Sequence, residues 1–351
     1  MSTGELDAIV VGAGIIGCAV ARELSRRGAR IAIFEARTAG AGATQASAGV
    51  LAPYIEAPGE GPLHALTVRS MAMYDEFIAD VVRDAGTPIE YRRCGTLEVA
   101  ADPSSAARLA ALGTWVQSMG IDARWLNRAE VSRLEPALGA TEGALLVPSH
   151  GYVRASQLTV ALLAAARRHG AAFHSERRVE DIGFERDSVT VRAGGETYRA
   201  RTLVIAAGSW SGMLAGATAV KPVRGQLLQL RWTGPPITHV LWSDSCYIVP
   251  WLDGTLLVGA TVEDVGFDER VTVSGVHALL TAASALLLPA AGDATFVEAR
   301  VGLRPATPSG LPIIARDAEH SSVVYATGHY RNGILLAPLT AHLVAELVFS
   351  L

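Results

Sequence analysis

Gly12, Gly14 and Gly17 stand in GxGxxG spacing, and Glu35 follows at roughly the 20-residue offset of a dinucleotide site. The chemistry this set can do is phosphate and ribose recognition. Gly12 gives a tight turn, Gly14 lets a pyrophosphate approach the backbone, and Gly17 lets a helix lie on a strand. The Glu35 carboxylate can accept hydrogen bonds from a ribose diol, and it argues against a 2′-phosphate. At the other end of the chain, Gly328-His329-Tyr330-Arg331-Asn332-Gly333 is a polar, glycine-bounded turn that runs into Ile334-Leu335-Leu336-Ala337-Pro338. Glycines let a flat ligand come close. A helix opening there points unpaired N–H groups and its positive end at the turn, which suits a ligand that gains negative charge.

The elements that must position these residues are legible nearby. Ala8 to Val11 is an apolar run typical of a buried parallel strand. Cys18 to Gly28 reads as a helix with Gly28 as its stop, and Ile31 to Phe34 as a second strand ending in Glu35. Leu203 to Ala207, closing on Gly208, and Val323 to Thr327, closing on Gly328, repeat the pattern of a buried strand that ends in glycine. Three such ends can align at one edge of a doubly wound sheet, where ligands bind. The middle of the chain predicts helices over 63–85, 106–119, 129–131 and 157–169, and strands over 95–100 and 143–147. It also predicts a hairpin of 189–192 and 196–200 around Gly194-Gly195. Residues 226–231, 246–250 and 255–259 alternate like antiparallel strands.

The expected fold is α/β. A discontinuous Rossmann-like nucleotide domain takes 1–85, 145–220 and 300–351, and an α+β substrate domain with a mostly antiparallel sheet takes 86–144 and 221–299. The 351 residues are half hydrophobic, with a formal net charge of −4, which excludes a basic nucleic-acid surface. Cys18, Cys94 and Cys246 form no CxxC pair and no metal spacing, and a sparse, odd set suits a reducing cytoplasm. Ala278 to Leu288 is too short for a bilayer span, so no integral membrane segment is expected.

After Glu35 the chain departs from regular βαβ units. The small-residue stretch 39–52, with Thr44, Gln45 and Ser47, can run beside a long cofactor. No second GxGxxG holds a separate nicotinamide nucleotide. With VVGAGIIG at 10–17, ASAGVLAP at 46–53, VIAAGSWS at 204–211, GLRPATPSGLPII at 302–314 and GHYRNGILLAP at 328–338, the chain resembles the D-amino acid oxidase family of flavoproteins. Within it the resemblance is to the glycine oxidase branch of thiamine biosynthesis. It implies an enzyme that oxidises a small amine or amino acid by hydride transfer to flavin N5. Dioxygen is the acceptor, and an imine (then oxo acid and ammonia) and hydrogen peroxide are the products. It also implies a homo-oligomer, with a tetramer as the family's pattern. Related enzymes attach flavin through a cysteine in the region that here reads Arg304-Pro-Ala-Thr307, so the FAD is expected to be non-covalent.

The resemblance assigns roles residue by residue. Arg304 would pair with the substrate carboxylate, as a planar guanidinium can through two parallel bonds. Tyr247 would add one hydrogen bond from its hydroxyl. Ser245, Val262 and Ala52 would shape the pocket, with Ile55 near its entrance. FAD would be held by Gly12, Gly14, Ile15, Ile16, Gly17, Glu35, Ala36, Thr44, Gln45, Ala48, Gly49, Val50, Val179, Ala207, Gly208 and Trp210. Arg304, His329, Arg331, Asn332, Gly333, Ile334 and Leu335 complete that set. The 329–335 loop would act largely through its backbone, with His329 structural and Arg331 either supporting the pyrimidine side of the flavin or pairing with an acid elsewhere. No side chain is expected to act as acid or base. Two other readings share these residues: a D-amino acid, sarcosine or proline-type enzyme with another substrate or electron acceptor, and a catalytically silent flavin-binding protein.

Overall fold

The structure, a computed structural model, describes residues 6–185, 188–214, 219–288 and 292–350. Five parallel strand segments form the heart of one eight-stranded sheet. They run in the order Ala172–His174, Ile31–Phe34, Leu6–Val11, the second half of Glu196–Ile205, and Val323–Thr327. All four residues of Ile31–Phe34 and all five of Val323–Thr327 are buried, as strands covered on both faces must be. The register sets Val11 beside Ile205 and Ile205 beside Tyr325. Three chain segments therefore leave the sheet at one edge, at Gly12, at Ala206-Ala207-Gly208 and at Gly328.

Glu196–Ile205 is one ten-residue strand and not the two elements expected. Its first half pairs antiparallel with Val189–Ala193, and its second half pairs parallel with Val323–Thr327. The helix Ile15–Arg26 packs against Gly333–Phe349 and Ala155–Arg168, and its residues from Ile15 to Ser25 are buried. The helix expected over 63–85 is two, Pro62–Ala72 and Tyr74–Ala85. The break at Met73, where the amide turns to Ser70 O, lets both pieces tie to the last helix. Ser70 Oγ donates to Leu335 O, and the Tyr74 hydroxyl donates to Ile334 O.

The second eight-stranded sheet runs Thr295–Ala306, Lys221–Arg231, Thr255–Gly259, Tyr247–Pro250, Val240–Trp242, Thr96–Ala100, Gly143–Val147, Arg124–Asn127. It is antiparallel except where Val240–Trp242 meets Thr96–Ala100. A small third sheet joins Val50–Leu51, Gly151–Val153 and Tyr91–Arg92. The stretch 300–306 with Arg304 was not read as a strand. It is the end of Thr295–Ala306, which pairs with Lys221–Arg231 along its length. Pro305 is accommodated because this is the sheet's edge. No described helix is long and apolar enough to cross a membrane.

Candidate active site

The strand ends at Gly12, Gly208 and Gly328 and one face of the second sheet enclose a cavity of about 760 Å3. At its first end the wall is mostly backbone. Gly12 has φ +101°, and a Cβ there would stand 2.5 Å from Ala206 O. A Cβ on Gly17 would stand 1.8 Å from Gly12 O, so this glycine seats the helix and does not line the cavity. The Ile15 amide donates to Thr44 Oγ1. Glu35 Oε2 accepts from the Ala13 amide and Oε1 from the Arg37 amide, which fixes the carboxylate at the cavity wall.

The same cavity is lined by Gly14, Ile15, Ile16, Ala36, Thr44, Ala48, Gly49, Val50, Val179, Ala207, Gly208 and Trp210. Further along it meets His329, Arg331, Gly333 and Ile334, at the N-terminus of the last helix. His329 is buried, its Nε2 lies 2.9 Å from Thr340 Oγ1, and burial pushes its pKa down to about 3. That is a neutral, structural ring whose neighbouring backbone faces the cavity.

The second end is built from side chains. Arg304 Nη1 donates to Thr261 O at 2.9 Å, with a longer bond to Arg224 O. Gly225 leaves room for this guanidinium, because a Cβ there would lie 2.1 Å from Nη2. Tyr247 stacks on Trp242 at 5.2 Å, and Gly259 is the opposite residue whose missing Cβ admits the phenol ring. Burial raises the Tyr247 pKa, with Arg304 and Arg331 opposing, so the hydroxyl stays a donor. Ser245 and Val262 line this end from exposed positions, and Ile55 lines it from the side.

Four more expected residues do not line the cavity. Gln45 is exposed and reaches Val301 O. Ala52 is fully buried at the start of a short helix, Pro53–Glu56. Leu335 gives its carbonyl to Ser70 and lies one residue inside the lining. Asn332 is buried, and its Oδ1 has no hydrogen-bond partner.

Two groups escaped the sequence reading. Glu56 pairs with Arg331 (Nε to Oε2, 3.2 Å), across 275 positions, and Arg331 lies over the Trp242 ring at 5.6 Å. Burial raises the Glu56 pKa, against the pull of Arg331 and Arg304. Glu98 and Arg108 also line the cavity, paired at 3.1 Å. The only sequence signal for Glu98 was an acid in the middle of a strand, Thr96–Ala100, that is buried throughout.

The residues present fit FAD. The cavity is long, and its volume falls in the range of ligand sites. Its nucleotide end is walled by the backbone of Gly12, Gly14 and Gly208 with the fixed Glu35 carboxylate beside it, and the last helix opens on the cavity at Gly333. The holding residues would be the backbone of Gly12 and 14–16, Glu35, Thr44 and the backbone of 329–331 and 333–334.

The family model described as FAD dependent oxidoreductase (DAO) matches residues 7–347. Glycine oxidase of Geobacillus kaustophilus (strain HTA426) is 36% identical over 353 residues, covering 99% of this chain and 93% of that protein. The bifunctional protein ThiO/ThiG of Nostoc sp. (strain PCC 7120) is 35% identical, over 97% of this chain and 52% of that protein. The crystal structure of glycine oxidase from Geobacillus kaustophilus superposes with a TM-score of 0.95 at 35% identity, covering 99% and 95% of the two chains.

Proposed function

The chain belongs to the FAD dependent oxidoreductase (DAO) family and is an FAD-dependent amine oxidase, and from that membership we propose that it oxidises glycine or a similarly small amino acid. Dioxygen is the acceptor in this reading, and imine and hydrogen peroxide are the products. The setting is thiazole formation for thiamine, supported by the likeness to the ThiO/ThiG protein. The chain works as a homo-oligomer in the cytoplasm. The carrying observation is that Arg304 and Tyr247 meet the glycine-lined end in one continuous cavity.

Bound FAD supplies a two-electron acceptor for the hydrogen on the substrate α-carbon. The protein supplies position and charge. Arg304, with Nη1 anchored on Thr261 O, offers Nε and Nη2 to a carboxylate as two parallel donors. Tyr247 adds a third donor from the neighbouring face. Fixing the α-carbon in this way can be worth about 7–11 kcal/mol in favourable cases. The N-terminus of the last helix, which lines the cavity at Gly333 and Ile334, adds positive potential there. No protein base is required if the amine binds neutral.

The test is a peroxide assay of the flavin-loaded protein in air, across glycine, sarcosine, and both enantiomers of alanine and proline. Glycine or another small member should give peroxide in proportion to imine. Oxidation that needs an added quinone, with no peroxide in air, would replace dioxygen as the acceptor.

A further inference from the structure

Beyond Tyr247 the cavity continues along the second sheet to Glu98. The register lays Glu98, Trp242, Tyr247 and Gly259 side by side on four adjacent strands. Neighbouring strands are about 4.8 Å apart, so Glu98 stands roughly 10 Å from Tyr247 across the floor of the chamber. Ser243, Asp244 and Ser245 line the same stretch with small side chains.

Glu98 is only 5% exposed. Its Oε1 accepts from Arg108 Nη1 at 3.1 Å, and its Oε2 has no hydrogen-bond partner. The other arm of the guanidinium, Nη2, is taken by Asp244 Oδ1 at 2.7 Å. Two carboxylates therefore share one cation, and the local charge is negative. Burial raises the Glu98 pKa despite Arg108. A buried acceptor left unmatched costs about 1–3 kcal/mol, more when charged. Such a group calls for an explanation, and a ligand that supplies the missing donor is one.

We propose that Glu98 forms a far subsite of the substrate chamber that accepts an ammonium or another strong N–H donor at the end of a substrate substituent. The proposal rests on the reading of Arg304 as the carboxylate anchor. A chain of roughly three or four methylenes between the α-centre and the donor bridges the two points. Glycine leaves this subsite empty. A substituent ending in carboxylate is disfavoured there, because Arg108 is already engaged by two acids.

The experiment compares isosteric pairs on the flavin-loaded enzyme: D-ornithine with D-norleucine, and N-(3-aminopropyl)glycine with N-butylglycine. Glycine is the reference and D-glutamate the acid-ended control. In at least one pair the ammonium-ended member should have the higher kcat/KM by at least about tenfold, the equivalent of about 1.4 kcal/mol. D-glutamate should rank below both members of its series. In Glu98→Gln the ratio should fall below about threefold, while Glu98→Asp keeps more of it. Because the ratio is taken within each enzyme, a general loss of activity cancels. Equal rates within both pairs, or a ratio unchanged in Glu98→Gln, would overturn the subsite even with glycine oxidised. If glycine and every other compound left the flavin oxidised, the proposed reaction would fail. The subsite would then be judged by melting of the holoprotein. An ammonium-ended compound that raises Tm above its methyl-ended partner, with the difference lost in Glu98→Gln, supports it, and equal shifts refute it.

Discussion

Around Gly12, Gly14, Gly208 and Gly333 the cavity wall is backbone, while around Tyr247, Arg304 and Glu56 it is side chain. The first end is made by strand ends and helix N-termini, with glycine keeping the space clear. The second is made by guanidinium, phenol and carboxylate groups carried on strands and loops far apart in the chain. One end should fail by collision, taking the cofactor with it. The other should fail by lost pairing, with fold and cofactor intact.

Gly17→Ala puts the largest strain on that division. Its new methyl would lie 1.8 Å from Gly12 O, so the first helix must move off the first strand. Overpacking of this kind costs about 1–3 kcal/mol and here also displaces the pyrophosphate turn. The flavin-to-protein absorbance ratio after gel filtration should drop by more than about tenfold. A variant that kept its flavin would show that the backbone end tolerates what the geometry forbids.

Arg304→Ala should do the opposite. Losing one partner of a desolvated charge pair costs about 2–5 kcal/mol, roughly 30-fold or more in kcat/KM, while flavin content stays at the wild-type level. Tyr247→Phe removes a single hydrogen bond and should cost about 0.5–1.5 kcal/mol. Flavin loss from either variant, with amine kinetics preserved, would move these residues to the cofactor end.

Both regions also carry a buried, neutral histidine. His329 lies beside the cofactor end, and His150, whose Nδ1 meets Thr96 Oγ1, lies under the second sheet. Burial pushes both from 6.5 to about 3. Between those values the unfolded chain binds more protons than the folded one, so stability rises with pH there. It should be fully present above about 6.5 and be lost as pH falls toward 3. Melting of the holoprotein between pH 7 and 4 should show this slope. His329→Gln and His150→Gln should each flatten it, and a slope indifferent to both would mean that the rings are not held neutral.

The same contrast decided what the sequence disclosed. Strands Ile31–Phe34, Gly143–Val147 and Thr255–Gly259 agree with expectation residue for residue, because buried apolar runs between turn residues carry their own signal. The glycine turns were legible for the reason they exist, since only glycine fits. Thr295–Ala306 was hidden because Gly302 and Pro305 interrupt a strand pattern; the sheet edge tolerates Pro305, and the missing Cβ of Gly302 lets residues 43–46 come close. That the acid partner of Arg331 is Glu56, and that Glu98 keeps an unmatched oxygen, were invisible for another reason. They are products of strand register and long-range packing, which no local spacing encodes.

The central claim is that the glycine-lined end and the Arg304–Tyr247 end act on one amino acid in one cavity. It is tested most directly by adding glycine or a small D-amino acid to the flavin-loaded protein without air and following the flavin absorbance near its visible maximum. The wild type should bleach, and Arg304→Ala, with its flavin in place, should bleach at least roughly 30-fold more slowly at low substrate. A wild-type flavin that no small amino acid reduces, or an Arg304→Ala flavin reduced just as fast, would contradict the account.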